Sequence, residues 1–264
     1  MTPSSLPAEG QALLVVGHGT QDAEGVAEFW LLIQRLQAMR PAGLVEGCFL
    51  ELAQPSIAAA VDRAVERGAE QLAVVPLVLF AAGHAKRDIP RAVAAAAGRH
   101  PRLRVRYCSH LGCHPAILSL SQQRCTEAIG AAPPASDRQT LLLMVGRGSR
   151  DADANAEMAR FARLRFERRP LGWLELAFLS MAEPSVERAL EIAAGLPFPR
   201  VVVQPHLLFR GELLQRLRRN VNARTALAPT YNWLVAEHLG PDSLLAEAVL
   251  GLAGSVDFQA GCRQ

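Results

Sequence analysis

His18 stands between two glycines at the point where an apolar run stops, in LLVVGHGTQD from Leu13. A second histidine, His84, follows another apolar run in VVPLVLFAAGH, and Glu51 closes a third in GCFLE. Two neutral imidazoles, with a carboxylate and water, suit a divalent first-row transition metal. The donor set is too sparse for a closed structural centre, which normally uses about four protein ligands. Open positions let an ion be delivered or exchanged. A histidine, with a pKa of about 6.5, also takes a proton near neutral pH. Together these groups point to metal handling or metal-assisted catalysis.

The elements that must position them are short continuous apolar runs, as expected for a parallel sheet covered on both faces. The runs predict strands near 11–17, 44–51, 71–79 and 103–108, with helical patterns between them over Val26 to Met39 and Ile57 to Arg67. Repeated β-α units imply right-handed crossovers and an α/β fold with a doubly wound, flavodoxin-like sheet. Ligands of such sheets bind outside the carboxyl ends of the strands. His18, Glu51 and His84 all follow strands, so chain order alone brings them to one rim.

The pattern occurs twice. LLVVGHGTQDAE from Leu13 matches LLMVGRGSRDAD from Leu142, and FLELAQPSI from Phe49 matches FLSMAEPSV from Phe178, both at an offset of 129 residues. VVPLVLF matches VVQPHLLF through Pro76/Pro205 and Phe80/Phe209, and HLGCHPAI from His110 matches HLGPDSLL from His238 after a one-residue deletion. The chain therefore reads as a duplication, with domains over 1–131 and 139–264 joined by a linker at 132–138.

The copy is selective. Gly17/Gly146, Gly19/Gly148, Asp22/Asp151 and Pro55/Pro184 persist. His18 becomes Arg147, Glu51 becomes Ser180, and His84 becomes Glu212 or Leu213, depending on where the deletion falls. A lone histidine after a strand usually shapes a turn. Two on one rim, both replaced in a copy that keeps the turn residues, favour chemistry confined to the first half.

Composition narrows the class. Half the residues are hydrophobic and the net charge is +3, so the balance gives no reason to expect nucleic acid. No apolar run approaches the roughly 20 residues that span a bilayer, and MTPSSLPAEGQ does not read as a signal peptide. The five cysteines form no C-x-x-C pair, and reduced thiols in a cytoplasm are the expectation. No G-x-G-x-x-G or P-loop follows the first strand, which disfavours a nucleotide site. RFARLRFERR from Arg160 reads as a solvated helix face, Arg102, Arg104 and Arg106 as one face of an edge strand, and His206 as a core residue. His100 is expected to be exposed, His114 to sit near a helix start, and His110 and His238 to share a structural role.

VVGHGT, FLELAQPS, PLVLFAAGHAKRDIP and HLGCHPAI, in this order and spacing, resemble the class II chelatases of the sirohydrochlorin cobaltochelatase family. The second half, with GRGSRDADANAE and LLFRGELL, resembles the degenerate half of its long, fused members. The resemblance implies two chelatase-like domains and insertion of Co²⁺ into sirohydrochlorin on the way to cobalamin. Fe²⁺ for sirohaem, or Ni²⁺, is the alternative metal substrate, and no organic cofactor is implied. His18 and His84 would bind the metal and accept pyrrole protons, with Glu51 assisting. The polycarboxylated macrocycle calls for cations, for which Lys86, Arg87, Arg147, Arg150 and Arg210 are candidates; arginine grips carboxylates in bidentate fashion. Short members pair as homodimers, so the fused chain is expected to be a monomer in the cytoplasm, with no nucleic-acid or membrane partner. A non-catalytic tetrapyrrole or metal carrier is the competing class.

Overall fold

The computed structural model describes residues 10–130 and 136–254, and at residues 84 and 85 the backbone. The N-terminal stretch, Cys262 and most of the expected linker lie outside the described residues. The described part of the linker enters a 3₁₀ turn at Asp137–Gln139.

The first sheet is built from β1 (Gln11–Gly17), β2 (Leu44–Phe49), β3 (Gln71–Pro76) and β4 (Arg104–Tyr107). All its ladders are parallel, in the order β2-β1-β3-β4. Helices α1 (Ala23–Met39), α2 (Ile57–Glu66) and α3 (Ile89–Ala97) return the chain between strands. β1 is buried on both faces, which is why its sequence is apolar without alternation. Ala12, Leu14 and Val16 pack with Ile57, Val61 and Val93 of α2 and α3. Leu13 and Val15 point the other way. A Cβ added to Gly47, the register partner of Val15, would lie 2.8 Å from Ile33 and 3.0 Å from Phe29, so α1 covers that face closely. On the α2 side, Glu46 is buried and held by Arg63 (3.0 Å) and Arg67 (2.8 Å). Its charge is thus paired within the first unit.

The second sheet repeats the design with β5 (Thr140–Gly146), β6 (Trp173–Phe178), β7 (Arg200–Pro205) and β8 (Asn232–Val235), ordered β6-β5-β7-β8 and all parallel. Its connecting helices are α5 (Ala152–Arg168), α6 (Val186–Ala193) and α7 (Glu212–Leu227). The fold class is the one the sequence implies.

Packing does not follow the repeat boundary at 131/139. One compact unit runs to Leu111 and resumes at Ala246; the other is Gly112–Leu245. Helix α4 (Pro115–Gly130), encoded at the end of the first repeat, thus completes the second unit, and most of α8 (Ser243–Gly254) belongs to the first. Specific polar contacts hold α4 there. Gln204 donates to the carbonyl and hydroxyl of buried Ser121, and Arg124 reaches the His238 and Leu239 carbonyls and Asp242. The repeat is a unit of sequence, and the packing unit takes its last helix from the other repeat.

Two expectations are corrected here. RFARLRFERR is not wholly solvated: Arg165 is 0% exposed and lies beside the buried Cys125. The cause is α4, which covers one side of α5, with Arg168 bonded to Ser119 and Arg169 to Thr126. His100 is not an exposed histidine: its Nε2 lies 2.7 Å from Asp62, which Arg99 also grips. Arg104 and Arg106 do lie on the edge strand β4, where Arg106 bonds the Ala253 carbonyl. His114 accepts from the Ala116 amide (3.2 Å) at the start of α4.

His206 is in the core, with its ring 4.0 Å from that of Phe161, and burial pushes its pKa down to about 3. The unfolded chain protonates this group below about pH 6.5, while the folded chain resists until about pH 3. Its effect on stability is therefore nil above pH 6.5 and grows less favourable as pH falls, by up to about 1.4 kcal/mol per pH unit. His206→Leu, which installs the residue of the equivalent position Leu77, is expected to remove this part of the acid sensitivity. Melting temperatures of both proteins between pH 7 and pH 4.5 should diverge progressively; parallel curves would refute it.

Candidate functional site

The first-unit site begins where β1 runs out. Phe29 of α1 packs against Gly17, whose added Cβ would sit 3.1 Å from its ring, and Phe29 in turn stacks on Phe49 at 4.4 Å. The ends of β1 and β2 are thereby locked together. After Gly17 the chain bends through His18 and Gly19 (φ +101°). It enters α1 at Asp22, whose carboxylate accepts from the Gly25 amide (3.0 Å).

β2 ends at Phe49, two residues before the sequence-based limit. Pairing nevertheless continues: Leu50 donates to Gly17 (2.9 Å) and Glu51 to the His18 carbonyl (3.0 Å). The backbones of His18 and Glu51 are thus tied directly. Gly19 makes this approach possible, since a Cβ there would lie 1.7 Å from the Glu51 carbonyl oxygen. The side chains follow, with His18 Nδ1 3.5 Å from Glu51 Oε1 and relative exposures of 28% and 50%.

His84 opens a π-turn, His84–Asp88, that leads into α3. Pro90 explains the wide turn. Its ring would collide with the carbonyl four residues back in a regular helix, and it has no N–H to give. Lys86 and Arg87 lie on the same turn and are exposed. Sequence patterning did not reveal this turn, although the DIP triplet was its signal. β3 neighbours β1, so His84 and His18 are carried by loops from adjacent strands.

The second unit keeps the scaffold with other groups on it. Ser180 donates its amide to the Arg147 carbonyl (2.9 Å), and a Cβ on Gly148 would lie 1.9 Å from the Ser180 oxygen. Asp151 and Ser185 cap α5 and α6, as Asp22 and Ser56 cap α1 and α2. The Ser180 hydroxyl turns back onto the Arg147 carbonyl at 3.3 Å. Gly211 precedes α7 as Gly83 precedes the π-turn, so Glu212 is the counterpart of His84. No π-turn forms there, because Arg218 takes the place of Pro90. Arg147, Arg150 and Arg210 are exposed at the carboxyl ends of their strands.

Thiolates add nothing to this picture. Burial pushes Cys48 up to about 12 and raises Cys108, Cys113 and Cys125. Among the described residues no group of three or more His, Cys, Asp or Glu is gathered to hold an ion. None of the described helices is long and apolar enough to cross a membrane.

Residues 12–128 and 141–253 each match the CbiX family model, so both repeats are covered. The chain belongs to the CbiX family. The sirohydrochlorin cobaltochelatase of Priestia megaterium is 32% identical over 80% of this chain and 68% of its own. The sirohydrochlorin ferrochelatase of Bacillus subtilis is 30% identical over 95% of this chain and 97% of its own. Among solved structures, SirB from Bacillus subtilis with Fe³⁺ superposes with a TM-score of 0.82 at 27% identity, over 93% of this chain and 96% of that one.

Proposed function

We propose that this protein inserts Co²⁺ into sirohydrochlorin. The observation that carries the reading is the His18–Glu51 pair at the end of β1, beside the loop of His84, in a chain whose relatives bear sirohydrochlorin chelatase names. The metal is a substrate, and insertion exchanges one divalent ion for two pyrrole protons. His18 and His84 receive the ion and take up protons, and Glu51 orients His18 and carries protons away. Two imidazoles hold the ion without trapping it, as catalysis requires preferential stabilisation of the transition state. Lys86, Arg87, Arg147, Arg150 and Arg210 hold the carboxylates. The reaction is assigned to a cytoplasmic monomer without an organic cofactor. Fe²⁺ is the second reading, because the relative that aligns along nearly its whole length is named a ferrochelatase.

The test is anaerobic mixing of the purified protein with sirohydrochlorin and either Co²⁺ or Fe²⁺, followed by the tetrapyrrole absorption spectrum. Faster insertion of Co²⁺ supports the proposal, and faster insertion of Fe²⁺ replaces it with the second reading. A bound spectrum without insertion would mean a carrier. Glu51→Gln is expected to slow insertion by roughly tenfold to a hundredfold. Unchanged turnover together with unchanged metal affinity would remove Glu51 from the mechanism.

A further inference from the structure

Leu52 follows Glu51 directly and has φ +63°, a conformation that costs a large side chain energy and that glycine adopts freely. The Ala53 amide donates to the Glu51 carbonyl (2.8 Å), closing a three-residue turn around Leu52 of the rare, strained positive-φ type. The strain is enforced from outside, because the same Glu51 carbonyl is pressed onto Gly19 and the Glu51 amide is tied to His18. A residue chosen only to make this turn would be glycine or asparagine. The chain instead places leucine here and leaves it 57% exposed.

The second repeat makes the same choice. Met181 has φ +60° and is 51% exposed. Glu51 became Ser180 one residue earlier, so the ionisable group was lost while the exposed apolar side chain was kept in kind. What the two positions retain is an apolar surface held outward by a strained backbone, a feature typical of ligand contacts. Scattered exposed leucines need no explanation, but one held at positive φ beside the metal-capable pair does.

We infer that Leu52 is a substrate contact that packs against the apolar face of the tetrapyrrole ring beside His18 and Glu51. This rests on the sirohydrochlorin reading above and adds to it the residue that meets the ring plane. A flat macrocycle has carboxylates only at its edge, and arginines serve those. Its face needs a desolvated apolar neighbour, which the His18–Glu51 pair cannot supply. Leucine here also excludes water from one side of the ring without competing for the ion.

Leu52→Gly and Leu52→Asn test this, since both residues tolerate positive φ. Both variants are expected to melt at or above the wild-type temperature. They should bind sirohydrochlorin roughly tenfold more weakly, the scale of burying most of one leucine side chain. Binding of Co²⁺ alone should be unchanged. Wild-type affinity for sirohydrochlorin in both variants would overturn the inference, as would a lowered melting temperature with normal ring binding, which marks a structural leucine. Failure of the wild-type protein itself to bind sirohydrochlorin would instead overturn the function on which the inference rests.

Discussion

His18→Ala is expected to reduce metal-dependent insertion by at least about a hundredfold, the lower range for losing a positioned proton acceptor, with loss of a metal donor added to it. The more informative variant is His18→Arg. The second repeat already carries arginine at this position in a turn of the same construction, with Gly148 at φ +85° and the Ser180 amide on the Arg147 carbonyl. The turn therefore accepts arginine, and His18→Arg should fold with an unchanged melting temperature. It should nonetheless be inactive, because a guanidinium neither ligates a metal nor gives up its proton. Insertion rates and thermal melts of the two variants check this. Activity retained by His18→Arg would show that the imidazole takes no part.

Much of this architecture is legible in the amino-acid sequence. The alternation of apolar runs and helical segments implies two doubly wound sheets, and strands placed at 11–17 and 44–51 differ from the observed β1 and β2 only beyond Phe49. The His18/Arg147 contrast is legible too, because a duplicated chain carries its own comparison. Three features are not legible, each for a physical reason. The exchange of α4 between units depends on long-range bonds such as Gln204 to Ser121, which leave no local pattern. The burial of Arg165 follows from that exchange, since helical spacing alone cannot say which side a distant helix will cover. The turn at Leu52 is hidden because leucine is not a turn residue, and the strain arises from contacts with Gly19 on a different loop.

The two repeats also separate scaffold from chemistry. Backbone bonds at the ends of β1 and β2 recur at β5 and β6, and the bond from the Ala59 amide to the Ser56 hydroxyl recurs from the Arg188 amide to the Ser185 hydroxyl. The differences include the side chains at the rim, His18/Arg147 and Glu51/Ser180, and the π-turn at His84–Asp88. The glycines and helix caps that shape these loops are shared by the two repeats, while the side chains at the rim are not.

That division yields the second large effect, at Gly19. An added methyl would sit 1.7 Å from the Glu51 carbonyl oxygen, and the backbone is at φ +101°. Backbone cannot yield as a flexible side chain does, so Gly19→Ala must push the two loops apart. The cost is expected to be on the order of 3–5 kcal/mol, or roughly 10 °C in melting temperature. Gly148→Ala meets the Ser180 oxygen at 1.9 Å and should cost about as much. Gly68→Ala, at φ +89° with nothing within 4 Å, bears only the conformational term of about 1 kcal/mol and calibrates it. Activity measured well below the melting temperature then discriminates. In Gly19→Ala the bond from the Glu51 amide to the His18 carbonyl is strained or lost, so the His18–Glu51 pair opens and insertion should fall at least tenfold. Gly68→Ala should insert metal at the wild-type rate. Equal activity in Gly19→Ala and Gly68→Ala would mean that close approach of the two loops holds the fold together but does not set the chemistry.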